Sequence, residues 1–384
     1  MNNDIIYMDN HATTPIAPEV LAAMMPYLTT NFGNASSTHP FGVTAMDAVE
    51  KARLQVAELL GCSAEEVIFT SGATESDNLA VRGIAYACRE KGNHIITSTA
   101  EHHAILDTCH ALATEGFETT YLPADKYGRV SPDDVEATIT PRTILMSFMY
   151  ANNEVGTINP IADIAAVAAK HGVPFHSDAV QGIGQLPSEM ERLGVDLASL
   201  TAHKIYGPKG IGALYIRRDV PRPQSLFHGG GQEAGVRPGT LNVAGIVGLG
   251  AACELAKNYM ETGKSCVATL RDALHQKLTA RLGGIHLNGH PEQRLPGNLN
   301  LCFAGVQSHA LLMGLKSVAV STGSACDSES VTASHVLVAM GIPNELALTA
   351  VRFGLGRYNT AEEVEIVADE VVKVVNRLRA LAPE

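Results

Sequence analysis

The chain has 384 residues, 46% of them hydrophobic and 18% charged, with a formal net charge of -12. That composition suffices for large cores and excludes a disordered chain, while the acidic balance argues against a direct nucleic-acid binder, which shows a basic patch or stripe. The seven cysteines are odd in number and lack CxxC spacing, so neither a disulfide framework nor a zinc site is expected, and a reducing cytoplasmic setting fits best.

The opening Met1-Asn2-Asn3-Asp4 has no positive n-region, so no signal peptide is expected. Residues 5–9 are apolar but too short to stand alone, and residues 1–15 are expected to join a later domain. Helical patterns follow at 44–60, 77–91, 104–115 and 161–171. They alternate with strand-length apolar runs at 67–70, 94–98, 119–122, 143–149, 173–177, 197–200 and 212–216. Such alternation predicts a mostly parallel sheet with helices on both faces, an α/β fold. Ligands of such sheets sit outside the carboxyl ends of the strands. The longest apolar stretch, 241–256, is cut by Asn242, Glu254 and several glycines, so no membrane span is expected. Past residue 260 the pattern changes to a long helix at 263–282, strands at 298–303 and 318–320, and helices at 310–315, 334–340 and 360–381. Two domains are predicted: a large one over 16–260, and a smaller α+β one made of 1–15 and 261–384.

Chemistry-bearing residues cluster at the predicted strand ends. Ser71-Gly72-Ala73-Thr74 follows a strand and opens a helix. Small residues at a helix N-terminus let backbone N–H groups reach an anion, or Ser71 or Thr74 simply caps the helix. His102 follows the next strand, as an acid–base group, a flat stacking partner or a helix-start residue. Asn152-Asn153 ends another strand and fits a turn. Asp178 ends the 173–177 run, where a carboxylate facing the crevice needs a cation such as a protonated pyridine nitrogen; a helix-capping Asp is the alternative. Gln181, three residues on, could reach the same ring. Lys204, in Thr201-Ala202-His203-Lys204, sits where a strand gives way to a glycine-rich turn. A lysine there is either solvated or desolvated enough to lose its proton and attack a carbonyl. The segment 228–240 is glycine-rich and could bring backbone and Thr240 to a phosphate, or be a flexible connection. A polar loop at about 321–333 holds Cys326. Asp327 and Glu329 flank that thiol and should raise its pKa above about 8.5, so its activation must come from elsewhere, such as a bound cofactor or His102. Arg352 lies in an apolar alternation, suited to a substrate carboxylate or to an internal ion pair. Singly, each has a structural explanation. Together a lysine, a crevice aspartate, a histidine, an anion-binding helix start and a carboxylate-binding arginine make a pyridoxal 5'-phosphate site.

Over nearly its whole length the chain resembles the cysteine desulfurases of the NifS/IscS type, fold-type I pyridoxal phosphate enzymes of the class V aminotransferase family. The resemblance rests on Asp9-Asn10-His11-Ala12-Thr13-Thr14-Pro15, Phe32-Gly33-Asn34, 70–78, Glu101-His102, Asn152-Asn153-Glu154, the spacing of Asp178 and Gln181, His203 to Gly210, and Ser324-Ala325-Cys326. It implies a seven-stranded, mostly parallel sheet in the large domain. It implies that Lys204 forms the internal aldimine, that Asp178 pairs with the pyridinium nitrogen and that Gln181 contacts the ring hydroxyl. Ala73, Thr74, Thr201 and His203 would hold the phosphate, joined by Thr240 of a second subunit in a homodimer. His102 would stack on the ring and move protons, with Asn153 beside it. Asn34, Asn153 and Arg352 would bind the substrate L-cysteine, Arg352 at its carboxylate. Cys326 would take the sulfur as a persulfide, releasing alanine, and pass it to a protein acceptor such as an iron–sulfur scaffold; no resident metal is implied, although Cys326 could transiently ligate a cluster. Three features depart from the family pattern. Ala35 stands where proline often follows Gly-Asn. Ala234 replaces an arginine in the glycine-rich segment, so any ion pair of that arginine is expected to be absent. The sequence stops at Glu384, whereas IscS proteins carry a longer tail that docks the scaffold. The rival expectations are another fold-type I enzyme, which needs Lys204 and Asp178 but no mobile cysteine, and a catalytically dead sulfur-relay subunit, which would have lost them.

Overall fold

A computed structural model describes residues 5–262, 264–322 and 332–381. Twelve strands are described: β1 (Ile6–Tyr7), β2 (Val67–Thr70), β3 (His94–Ser98), β4 (Glu118–Leu122), β5 (Thr143–Ser147), β6 (Phe175–Asp178), β7 (Leu197–Thr201), β8 (Gly212–Ile216), β9 (Ile285–Asn288), β10 (Asn298–Phe303), β11 (Val318–Ala319) and β12 (Ala350–Gly354). Seven of them form one sheet in the order β2-β8-β7-β6-β5-β3-β4. Only β8 runs antiparallel, to both β2 and β7. The interior strands β3, β5, β6 and β7 are buried at every residue, which explains their continuous apolar runs: helices cover both faces. One face packs beneath the helices Pro18–Thr29, Pro40–Leu60 and Val243–Thr262, the other beneath Ala73–Ala87 and His103–Ala113.

A three-stranded antiparallel sheet, β12-β10-β9, packs with the helices Lys264–Arg281 and Ala361–Leu381 around a separate apolar cluster that includes Met8, Leu274, Phe303 and Phe353. The chain start reaches it too: β1 pairs in parallel with β11, and Gly354 N–H donates to Met8 O at 2.7 Å. No helix among the described residues is long and apolar enough to cross a membrane.

Element boundaries moved where backbone donors decided them. The 173–177 run begins as a strand only at Phe175, because Val173 N–H closes the preceding helix on Ala168 O and Pro174 has no donor to give. The strand therefore extends to Asp178 and carries that carboxylate to its carboxyl end. The 77–91 pattern begins four residues early, at Ala73, so the helix N-terminus itself faces the end of β2.

Candidate active site

A cavity of about 500 Å³ opens at the carboxyl ends of the parallel strands. It gathers Ala73, Thr74, His102, Asn153, Asp178, Gln181, Thr201, His203, Lys204 and Arg352, brought together from six stretches of the chain, together with His11, Asp77, Lys209 and Gly210. Asn34 and Thr240 do not line it. Both are exposed, and Asn34 Oδ1 accepts from Ser36 N–H at 2.9 Å. Cys326 lies outside the described residues.

One end of the cavity is built for an anion. The helix Ala73–Ala87 starts behind Gly72, with no side chain capping it, so neither Ser71 nor Thr74 is its cap. Its first N–H groups and the positive end of its dipole are left for a ligand. Gly212 makes this turn possible: a Cβ there would meet Leu200 O at 2.4 Å and Gly72 Cα at 2.8 Å. Thr201 adds a hydroxyl that donates to Ile211 O at 3.1 Å. Burial, with Lys204 and Lys209 nearby, pushes His203 down to about 4, so its ring is neutral, and Nδ1 stands 3.1 Å from Thr13 Oγ1. The turn is tied to the glycine-rich segment by Glu75, whose carboxylate accepts from Arg237 Nε at 2.7 Å and from Ser71 N–H at 2.7 Å. Burial alone would raise Glu75; those bonds outweigh it and hold it below its ordinary value. A second ion pair of that segment lies one residue before Ala234: Glu233, 1% exposed in its side chain, receives Arg53 Nη2 at 2.8 Å.

The cavity lining also holds the buried acids Asp178 and Asp77, with Glu101 buried outside it. Asp178 is 7% exposed and accepts from Val180 N–H at 3.1 Å. Burial raises its pKa, and His102, the Val180 N–H and Lys204 partly offset this. Asp77 stands beside it, 1% exposed. The Ser199 hydroxyl is engaged with His176 Nε2 at 3.0 Å, and neither Asp77 oxygen has a hydrogen bond of good geometry. Burial and the charge of Asp178 hold Asp77 well above the carboxylate range. Glu101 is likewise raised by burial, despite the N–H of Met149 at 2.9 Å. Buried carboxylates with this little compensation call for a positive ligand group.

Lys204 lines the same cavity, in the single helical turn after β7. Its Nζ donates to His11 O at 2.5 Å and to Ala12 O at 2.8 Å. The strain that shapes this turn sits two residues on, at Tyr206, with φ of 69°. Tyr206 is held there by its N–H on Thr14 Oγ1, by its hydroxyl accepting from Arg357 N–H, and by the Arg357 guanidinium 4.1 Å above its ring. His102 is both a helix-start residue and a cavity residue. It caps the helix His103–Ala113 by accepting Ala104 N–H on Nδ1 at 3.1 Å, which puts the ring proton on Nε2. Burial pushes His102 down, against the pull of Asp178.

Arg352, on β12, is 2% exposed, and of its two expected uses the structure shows the internal ion pair. It lines the cavity, and it is ion-paired: Nη2 donates to Asp9 Oδ1 at 3.0 Å and to Ser321 Oγ at 2.9 Å, and Nη1 to Asn153 O at 2.8 Å. Asn152 shapes the turn that presents Asn153, by taking the N–H groups of Glu154 and Val155 on its Oδ1. Asp9, Asp77, Glu101 and His11 were given no role in the sequence reading. Their partners lie far away in the chain, and no local spacing marks them.

A ligand with an anionic group, a cationic nitrogen and a carbon for a lysine to hold fits this lining, and pyridoxal phosphate has all three. Fold and site together define a fold-type I pyridoxal phosphate enzyme. The aminotransferase class-V family model matches residues 6–367. The cysteine desulfurase IscS of Anaeromyxobacter dehalogenans (strain 2CP-C) is 52% identical over 381 residues, covering 98% of this chain and 94% of the relative. Among solved structures, a NifS-like protein superposes with a TM-score of 0.91 at 38% identity, covering 97% of this chain and 100% of the other. SspA in complex with cysteine superposes at 0.81 with 36% identity, covering 92% and 99%. The chain therefore belongs to the class-V aminotransferase family, in its IscS-type cysteine desulfurase branch.

Proposed function

We propose that this protein is a pyridoxal phosphate-dependent cysteine desulfurase that converts L-cysteine to L-alanine and carries the sulfur away as a persulfide on Cys326. The observation that carries this reading is one cavity holding Lys204, Asp178, His102 and Arg352 at the strand ends of a chain about half identical to curated cysteine desulfurases. Bound there, the cofactor supplies an electrophilic carbon for the substrate amine and an electron sink for charge developing at its α carbon.

The chain's own residues do the rest. The N-terminus of helix Ala73–Ala87, Thr74, Thr201 and His203 hold the phosphate, with Thr240 of a second copy. Asp178 would serve the ring nitrogen and Gln181 a ring oxygen. Lys204 would hold the cofactor, and as a free amine it would move the substrate's α proton. His102 would present its neutral Nε2–H to the cavity and stack on the ring. Arg352 takes the substrate carboxylate while Asp9 and Asn153 O hold its guanidinium in plane, and Asn153 and Asn34 complete the substrate contacts. The Cys326 thiolate attacks the substrate sulfur: an S–S bond forms as the substrate C–S bond breaks. The electron pair of that bond stays with carbon, which takes up a proton and leaves as alanine. The persulfide then passes to a protein acceptor.

Replacing Cys326 with Ala tests the reading directly. Alanine formation and protein-bound persulfide are both measured with L-cysteine as substrate. Loss of both, with cofactor still bound, is the expected result; unchanged desulfuration would refute the role of Cys326. Trapping radiolabelled persulfide on the wild type and identifying the protein that removes it names the acceptor.

A further inference from the structure

His11 lines the same cavity as Lys204 and is 7% exposed, yet it has no part in the reaction above. Its Nδ1 stands 2.9 Å from Gln181 Oε1, and its backbone oxygen accepts from Gln181 Nε2 at 3.0 Å. These two contacts determine each other. A carbonyl oxygen only accepts, so the amide atom facing it must be the nitrogen. The amide oxygen, which also only accepts, then faces the ring, so Nδ1 must carry the ring proton. His11 is thus a neutral Nδ1–H imidazole whose buried Nε2 makes no hydrogen bond of good geometry. Burial, reinforced by Arg352 and Lys204 and opposed by Gln181 and the Gly297 backbone, pushes its pKa down to about 3, so the neutral ring persists across the physiological range.

An end-for-end turn of the Gln181 amide would set oxygen against oxygen at the His11 carbonyl and N–H against N–H at the ring. Both contacts would be lost, so the amide has one orientation. One of its two N–H bonds is used on His11 O, and the other is left to offer. We propose that His11 is a positioning residue that locks Gln181 as a hydrogen-bond donor toward a ring oxygen of bound pyridoxal phosphate. This rests on the cofactor reading above. A donor there favours the deprotonated oxygen and lowers the pH at which the bound cofactor changes its visible absorption.

The test is a pH titration of the visible band of cofactor-loaded wild type, His11→Leu and His11→Asn. Leucine fills the site without donating. Asparagine places Nδ2 where the imidazole had Nδ1 and restores the donor. Lys204, Asp178, His102, His203 and Arg352 also face the cavity and are the same in all three proteins. The apparent pKa of the band is expected to rise by about one unit in His11→Leu, the tenfold change of a charge-assisted hydrogen bond, and to return to the wild-type value in His11→Asn. A His11→Leu titration that matches wild type, or a shift that His11→Asn does not reverse, overturns the proposal. If His11→Leu does not fold, His11→Met makes the same comparison with a more adaptable side chain. A wild type that shows no visible band with pyridoxal phosphate would instead sink the cofactor reading itself, an outcome distinct from an unchanged titration.

Discussion

Glu233 offers a test of how the glycine-rich segment supports the site. Its carboxylate is buried in a turn whose φ is 48°, and it takes three N–H groups: Arg53 Nη1 at 2.9 Å, Arg53 Nη2 at 2.8 Å and Phe69 N at 2.7 Å. Arg53 also donates to Val67 O at 2.8 Å and lies 4.6 Å above the Phe69 ring. The pair thus staples residues 228–240 to β2, which runs straight into the anion-binding turn. Glu233→Ala would leave Arg53, 12% exposed in its side chain, with only the exposed Glu50 as an anion, and leave the Phe69 N–H unpaired. Breaking a buried pair from one side costs about 3–5 kcal/mol. Arg53→Met, which strands Glu233 instead, should cost a similar amount. The double variant removes both charges together, so it should be more stable than the summed single losses by about 2 kcal/mol, a coupling typical of residues in one network. Urea unfolding of the four proteins measures this cycle, and fluorescence titration with pyridoxal phosphate reports whether cofactor affinity falls with it. A Glu233→Ala loss below about 1 kcal/mol, or additivity within about 0.5 kcal/mol, would refute the staple.

Asp178→Asn should keep the cofactor, since Lys204 is intact, but lower kcat by about 100-fold or more, because the amide cannot stabilise a protonated ring nitrogen; unchanged turnover in the coloured variant contradicts the assignment. His176, fully buried between Ser147 and Ser199, is pushed by burial down to about 3. The folded state therefore binds fewer protons than the unfolded chain between pH 6.5 and 3, and stability is lost as pH falls through that window. His176→Asn should flatten the plot of unfolding free energy against pH by about 1.4 kcal/mol per pH unit between pH 6 and 4, and parallel plots would show that His176 is not the group responsible. Gly212→Ala drives a Cβ into backbone on two sides and should cost about 2 kcal/mol or more with loss of cofactor binding, whereas Gly283→Ala meets nothing within 4 Å and should be neutral or stabilising by up to about 1 kcal/mol. Thermal melts of the two variants check the contrast.

What the sequence showed of the site follows from where each residue's information lies. Lys204, Asp178 and His102 were visible because each ends a strand whose apolar run is local, and strand–helix alternation says that strand ends converge. The anion-binding turn could be seen but not separated from a capped helix, because a cap depends on side-chain rotamers; Gly72 at the cap position decides it. Arg352 showed the same ambiguity, since its partner Asp9 is 343 residues away. His11 was in plain view within a motif, but its meaning lies in a contact 170 residues on. Strand limits near Val173 were missed because a helix-closing N–H and a proline, not hydrophobicity, set them.

The cavity's polarity narrows the ligand further than its size does. The free N–H groups of a helix start and the buried acids Asp178 and Asp77 line the same cavity, so a ligand that set its anion against the acids rather than the N–H groups would be disfavoured. The substrate's own charge is handled separately. Arg352 comes already paired with Asp9, so under the proposed function the substrate carboxylate would share the guanidinium with it. Sharing fixes the guanidinium plane before substrate arrives, which trades some binding energy for orientation at the carbon where the proton must leave.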